Sequence, residues 1–76
     1  MNFATWLQAF MKQHNIRQCH IIKKSGIHAN LLYWWLQDRN TPSAYNLAIL
    51  ATTLSNLTDI ERPVILEHMC CAILKG

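Results

Sequence analysis

The sequence predicts an all-α fold of five short helices. Three observations carry that reading. Apolar residues recur at spacings of three and four between short polar breaks, which is the period of a helix with one buried face. No segment alternates apolar and polar residues as a half-buried strand does. The chain has 76 residues, of which 51% are apolar and only 14% charged, so one small core is all it can build.

The first helix is expected over about 3–13, where Phe3, Trp6, Leu7, Phe10 and Met11 form one apolar stripe. Asn15 follows as a residue that tolerates the left-handed conformation ending a helix. A second, shorter helix is expected over about 17–24, with Ile21 and Ile22 turned inward, and Gly26 marks a tight turn after it. The third, about 28–37, offers Leu31, Leu32, Trp35 and Leu36 for burial. Thr41-Pro42-Ser43 is a helix-start signal, and the fourth helix, about 43–54, carries Leu47, Leu50, Ala51 and Leu54 on one face. Thr58 to Glu61 has the look of a capping box, but Pro63 would then fall inside the helix, so the fifth is placed from Arg62-Pro63 to Leu74. It is apolar on more than one face. The organisation expected is a body over 1–57 and an apolar C-terminal helix over 58–76, packed on the same single domain as an assembly element.

Charge is uneven along the chain. Up to residue 56, five cations (Lys12, Arg17, Lys23, Lys24, Arg39) stand against the single Asp38, a net of +4. Beyond it, Arg62 and Lys75 stand against Asp59, Glu61 and Glu67, a net of −1. A basic body with a near-neutral tail suits a nucleic-acid face plus an assembly element, although an ordinary solvated surface has the same charge. Cys19, Cys70 and Cys71 are odd in number, no secretory signal opens the chain, and no apolar stretch reaches membrane-span length. A cytoplasmic protein with reduced thiols is expected. Neither His68, Cys70 and Cys71 nor His14, Cys19 and His20 has a zinc-site spacing, and no cofactor is expected. His20 and His68 read as surface or half-buried helix residues. No Ser-His-Asp set, phosphate loop or carboxylate pair occurs, so no enzyme is expected.

From Ile16 to Leu54 the chain resembles the Cro/repressor (Xre-type) helix-turn-helix family of bacterial and phage transcriptional regulators. The residues carrying the likeness are Ile16-Arg17-Gln18, Ile21-Ile22-Lys23-Lys24-Ser25-Gly26-Ile27-His28, Leu32 and Trp35, Thr41-Pro42-Ser43, and Leu47, Leu50 and Ala51. In that family a Gln opens the second helix, an apolar-Ala pair precedes a Gly-apolar-Ser turn, two core positions lie three apart in the recognition helix, and Pro-Ser starts the fourth helix. The likeness implies a lambda-repressor-like helix-turn-helix fold and operator binding as a homodimer. The recognition helix, 28–37, would lie in the major groove of double-stranded DNA. It implies that Gln18 fixes the backbone and the first recognition side chain. It also implies that His28, Ala29, Asn30, Tyr33 and Trp34 face DNA, and that Arg39, Asn40 and Thr41 meet phosphate. Asn30 is the best base reader among them, because an amide pairs with adenine at two atoms. Lys12, Arg17, Lys23 and Lys24 could add phosphate contacts.

The sequence also departs from the family. Met11 and Leu36 stand where the family has a buried Arg–Glu pair, an exchange that an apolar core accepts. Ile22 replaces a small Ala, which would splay the two motif helices. Asp38 replaces a Gly at positive φ, and His28 replaces a capping Ser. The recognition face itself is apolar: no Arg or Lys lies between His28 and Gln37, and Tyr33 and Trp34 sit beside Leu31. That composition also fits a protein interface. The alternative function is therefore a helix-turn-helix fold used as an interaction module, an accessory or anti-activator subunit bound to another transcription factor. Its contacts would be Leu31, Tyr33 and Trp34 together with Ile65, Met69 and Ile73 of the last helix. A third reading folds Trp34 back onto the core beside Trp6.

Overall fold

The computed structural model describes residues 2–75, with side chains through Leu74. Met1 and Gly76, the outer ends of the two expected segments, lie outside the described residues. Five helices follow one another: α1 (Phe3–Gln13), α2 (Gln18–Ser25), α3 (Ala29–Leu36), α4 (Ala44–Leu57) and α5 (Arg62–Lys75). No strand occurs among the described residues.

Each helix is bounded by a local device. Asn2 caps α1 by accepting from the Thr5 N–H at 2.8 Å. At its other end Ile16 donates to the Met11 carbonyl at 2.8 Å and Asn15 to Lys12 at 3.3 Å, with Asn15 at φ 56. That is the paired bonding of a Schellman end, and the apolar contact it favours falls between Ile16 and Met11, both buried. The same device ends α3. Arg39 donates to the Trp34 carbonyl, Asp38 donates to Trp35, and Asp38 sits at φ 58. The Asp38 carboxylate accepts from the Asn2 side-chain amide at 3.2 Å, which ties the end of α3 to the start of α1.

Gly26 closes α2 at φ 74, leaving a turn of Gly26, Ile27 and His28 before α3. A Cβ there would meet nothing within 4 Å, so only the backbone resists a side chain. Gly26→Ala is therefore expected to cost about 1–2 kcal/mol, the left-handed penalty alone, read as a lower urea midpoint at unchanged slope.

The core is continuous across all five helices. Leu7, Ile21, Leu32, Leu50, Leu54, Ile65 and Met69 are fully buried in it, and Trp35 is 2% exposed. Helices α1, α2 and α3 close one side, and α4 and α5 pack against each other and back onto α2 and α1. The radius of gyration, 11.0 Å, matches the roughly 11 Å of a compact chain this size, so α5 is folded into the body. Met11 and Leu36 are both buried, filling apolar volume in the same core. Ile22 is half-buried against its edge, and α2 still packs on α3.

Two expectations are corrected here. Helix α4 continues to Leu57 rather than stopping near 54. Leu57 packs against the core, and the chain turns only at Thr58, whose hydroxyl donates to the Leu54 carbonyl and accepts from the Ile60 N–H. Thr58 thus ends α4 instead of opening α5, and Glu61 starts α5 through its carbonyl, with Pro63 in the first turn where no donor is needed. The second correction concerns Ile65 and Met69, expected as partner contacts. Both are 0% exposed, because the 65–69–72 stripe is the one that faces α4 and α1. Ile73 is half-buried against the same core. Outward, α5 presents Val64, Cys70, Cys71 and Leu74 among the polar Arg62, Glu67 and His68.

Candidate nucleic-acid interface

Helix α3 is anchored from one side. Leu32, Trp35 and Leu36 are buried, while Asn30, Tyr33, Trp34 and Gln37 point to solvent. The spacing of those four, i, i+3, i+4, i+7, makes one outward stripe. Tyr33 is 48% exposed and Trp34 37%. Trp34 does not fold back beside Trp6, whose ring partners are Phe3 and Phe10 at centroid distances of 6.0 and 5.2 Å. Leu31 is half-buried at the margin of the core, so its share of the outward surface is partial.

Two histidines set the start of each short helix. His20 Nδ1 accepts from the Arg17 N–H at 3.2 Å at the head of α2. His28 Nδ1 accepts from the Asn30 N–H at 3.1 Å and caps α3. The acceptor role places the ring proton of neutral His28 on Nε2, and the residue is exposed. His28→Ala is expected to lower stability by about 1 kcal/mol, and His28→Ser to recover it, in chemical denaturation. Ser25 braces the turn from inside. Its hydroxyl donates to the Ile21 carbonyl at 2.6 Å and accepts from the Ile27 N–H at 3.0 Å.

The residues expected to face DNA are all at the surface: Gln18, Lys24, His28, Ala29, Asn30, Tyr33, Trp34, Arg39, Asn40 and Thr41. They fall into four groups. His28 to Trp34 lie along α3, and Arg39 to Thr41 follow it in the loop to α4. Gln18 stands with Gln8, Met11, Leu36 and Gln37 around a cleft of about 380 Å³ at the far end of α3. There the Gln8 amide donates to the Leu36 carbonyl at 2.6 Å and holds that end down on α1. Ala29, the first residue of α3, offers Gln18 no polar side-chain atom to hold. Lys24 lines a different hollow, about 270 Å³, with Ser25, Ala48, Ile49, Thr52 and Asn56, between α2 and α4.

Tyr45 was not singled out from the sequence. It is 75% exposed in the first turn of α4, directly after the loop carrying Arg39 to Thr41. The signal was available: with Leu47, Leu50, Ala51 and Leu54 turned inward, position 45 is out of phase with the buried stripe.

No group of three or more His, Cys, Asp or Glu side chains that could hold a metal ion occurs among the described residues. Cys19, Cys70 and Cys71 are free and exposed. No described helix is long and apolar enough to cross a membrane. No protein-family model, curated protein or solved structure matches the chain.

Proposed function

We propose that this chain is a small transcriptional regulator of the Cro/Xre kind, binding operator DNA through α3. In this reading α2 and α3 form a lambda-repressor-like helix-turn-helix. The observation that carries it is the mounting of α3: one face locked by Leu32, Trp35 and Leu36, the other exposed along Asn30, Tyr33, Trp34 and Gln37, after a turn fixed by Gly26 and capped by His28. A helix about 10–12 Å across fits a B-form major groove about 12 Å wide. Five exposed cations, Lys12, Arg17, Lys23, Lys24 and Arg39, supply charge for phosphate. Occlusion of a promoter would be the regulatory consequence.

The test is fluorescence anisotropy on a pool of duplexes with randomised centres, at low salt, followed by selection. Binding with an enriched sequence supports the reading. A pool that is never retained at any protein concentration short of aggregation sinks it.

One observation favours a second reading. The outward stripe of α3 holds Tyr33 and Trp34 and no cation, the composition of a protein-binding hot spot. The chain would then be an accessory subunit docked on another transcription factor through α3. Co-purification from the native host separates the two: a regulator captured by the wild type and lost with Trp34→Ala, with no duplex bound, favours this one.

A further inference from the structure

We infer that α3 selects A·T base pairs, so that the operator half-site beneath it is A·T-rich. This rests on the DNA reading above and concerns which bases that same face accepts. Recognition helices read bases mainly with the residues of their N-terminal half. Here those are His28, Ala29, Asn30 and Tyr33, all exposed. Each has a base edge it can and cannot satisfy.

Asn30 presents a side-chain amide whose donor and acceptor match N7 and N6 of adenine. Its backbone N–H is already taken by the His28 ring, which fixes the residue's place in the first turn. The side chain stays exposed. Ala29 precedes it with an exposed methyl, and Tyr33 follows one turn later with an exposed ring. Both are contacts for the thymine 5-methyl group, which G·C pairs lack. His28 has only its Nε2–H left to give, a single donor that any purine N7 accepts.

The readers of G·C are missing from the helix. Guanine is read by Arg or Lys in two bonds, and cytosine by Asp or Glu accepting from its amino group. Helix α3 carries none of the four between Ala29 and Leu36. The nearest carboxylate, Asp38, lies past the helix end at positive φ and accepts from Asn2. Arg39 lies beyond that turn again, in the loop. A G·C pair under α3 would therefore lose the adenine bonds and the methyl contacts, and nothing on the helix replaces them.

The experiment uses the full chain and the randomised duplex pool. Selected sequences are expected to be A·T-rich where bound protein protects the major groove. Replacing thymidine by deoxyuridine there removes only the methyl groups and is expected to weaken binding about fourfold for each contacted methyl. Asn30→Ala keeps a good helix former and the His28 cap bond. It is expected to erase the preference for adenine at one position, roughly 5- to 150-fold. Enrichment of G·C at the protected positions, or deoxyuridine duplexes binding as tightly as thymidine ones, overturns this inference and leaves DNA binding standing. Failure of every duplex to bind at low salt overturns DNA binding and the inference with it.

Discussion

Trp35→Ala is expected to lower the unfolding free energy by about 3–5 kcal/mol, while Trp34→Ala is expected to lower it less. The two residues are neighbours in sequence and opposite in environment: Trp35 is 2% exposed and Trp34 is 37% exposed. Trp35 is among the largest fully enclosed side chains, and it holds α3 on the core that α1 also lines. Truncating a buried Trp to Ala costs about 3–5 kcal/mol, the lost transfer energy plus the cavity left behind. At about 0.05–0.15 kcal/mol per residue, a chain this size has about 4–11 kcal/mol in total. The loss is thus between a quarter and all of its stability. Trp34 keeps more than a third of its surface in water, so its removal is expected to cost about 1–2 kcal/mol, short of the Trp35 loss. Far-UV circular dichroism with urea titration distinguishes them. Equal losses for both would mean that Trp34 is a core residue and that the outward stripe of α3 does not exist.

Most of the fold was legible because its helices announce their ends locally. Asn15 and Asp38 were expected at left-handed positions and Gly26 at a tight turn, and the three sit at φ 56, 58 and 74. These are short-range decisions, made by one residue's backbone sterics and the carbonyls just before it. The cap at Asn2 is equally local, a side chain accepting from the Thr5 N–H just ahead of the apolar run that marks the helix. Helix α4 ran on to Leu57 because Ser55 and Asn56 resemble a break in sequence alone. In the fold, Leu57 has core to reach, and Ser55 donates to the Ile60 carbonyl across the turn.

Helix α5 shows where such reasoning stops. Val64, Ile65, Leu66, Met69, Ala72, Ile73 and Leu74 give it apolar residues around most of its circumference. Periodicity then fails to say which stripe is inside, since more than one could be. That choice is made by α4 and α1, which are distant in sequence, and they take Ile65, Met69 and Ala72. The candidate interface on α3 was easier for the opposite reason. Its buried positions 32, 35 and 36 leave a single outward stripe, so the exposed residues follow from the phase of the helix. The position of Gln18 and Lys24 relative to α3 depends on how α2 is packed, which no local signal records.

In the proposed DNA reading, binding is expected to fall steeply with salt, and the slope counts the cations that meet phosphate. Each neutralised phosphate contributes about −0.9 to the slope of log K against log salt. The five exposed cations of residues 1–56, Lys12, Arg17, Lys23, Lys24 and Arg39, set a limit for that body near −4.5, with the exposed Arg62 outside it. Over the range from about 50 to 200 mM salt that limit is a loss of roughly 500-fold. Arg39 lies in the loop that follows α3 and is the cation whose place in the chain is closest behind the reading face. Arg39→Ala is expected to flatten the slope by about 1 and to weaken all sequences alike, since a phosphate carries no base identity. Asn30→Ala is expected to leave the slope unchanged, because an amide releases no counterion. The pair of variants therefore separates charge from readout without reference to absolute affinity. A protein partner gripped by Tyr33 and Trp34 behaves otherwise: apolar burial at a hot spot is nearly indifferent to ionic strength over this range. A flat response in the wild type would move the weight to that partner, and would mean that the basic body of the chain serves solubility rather than recognition.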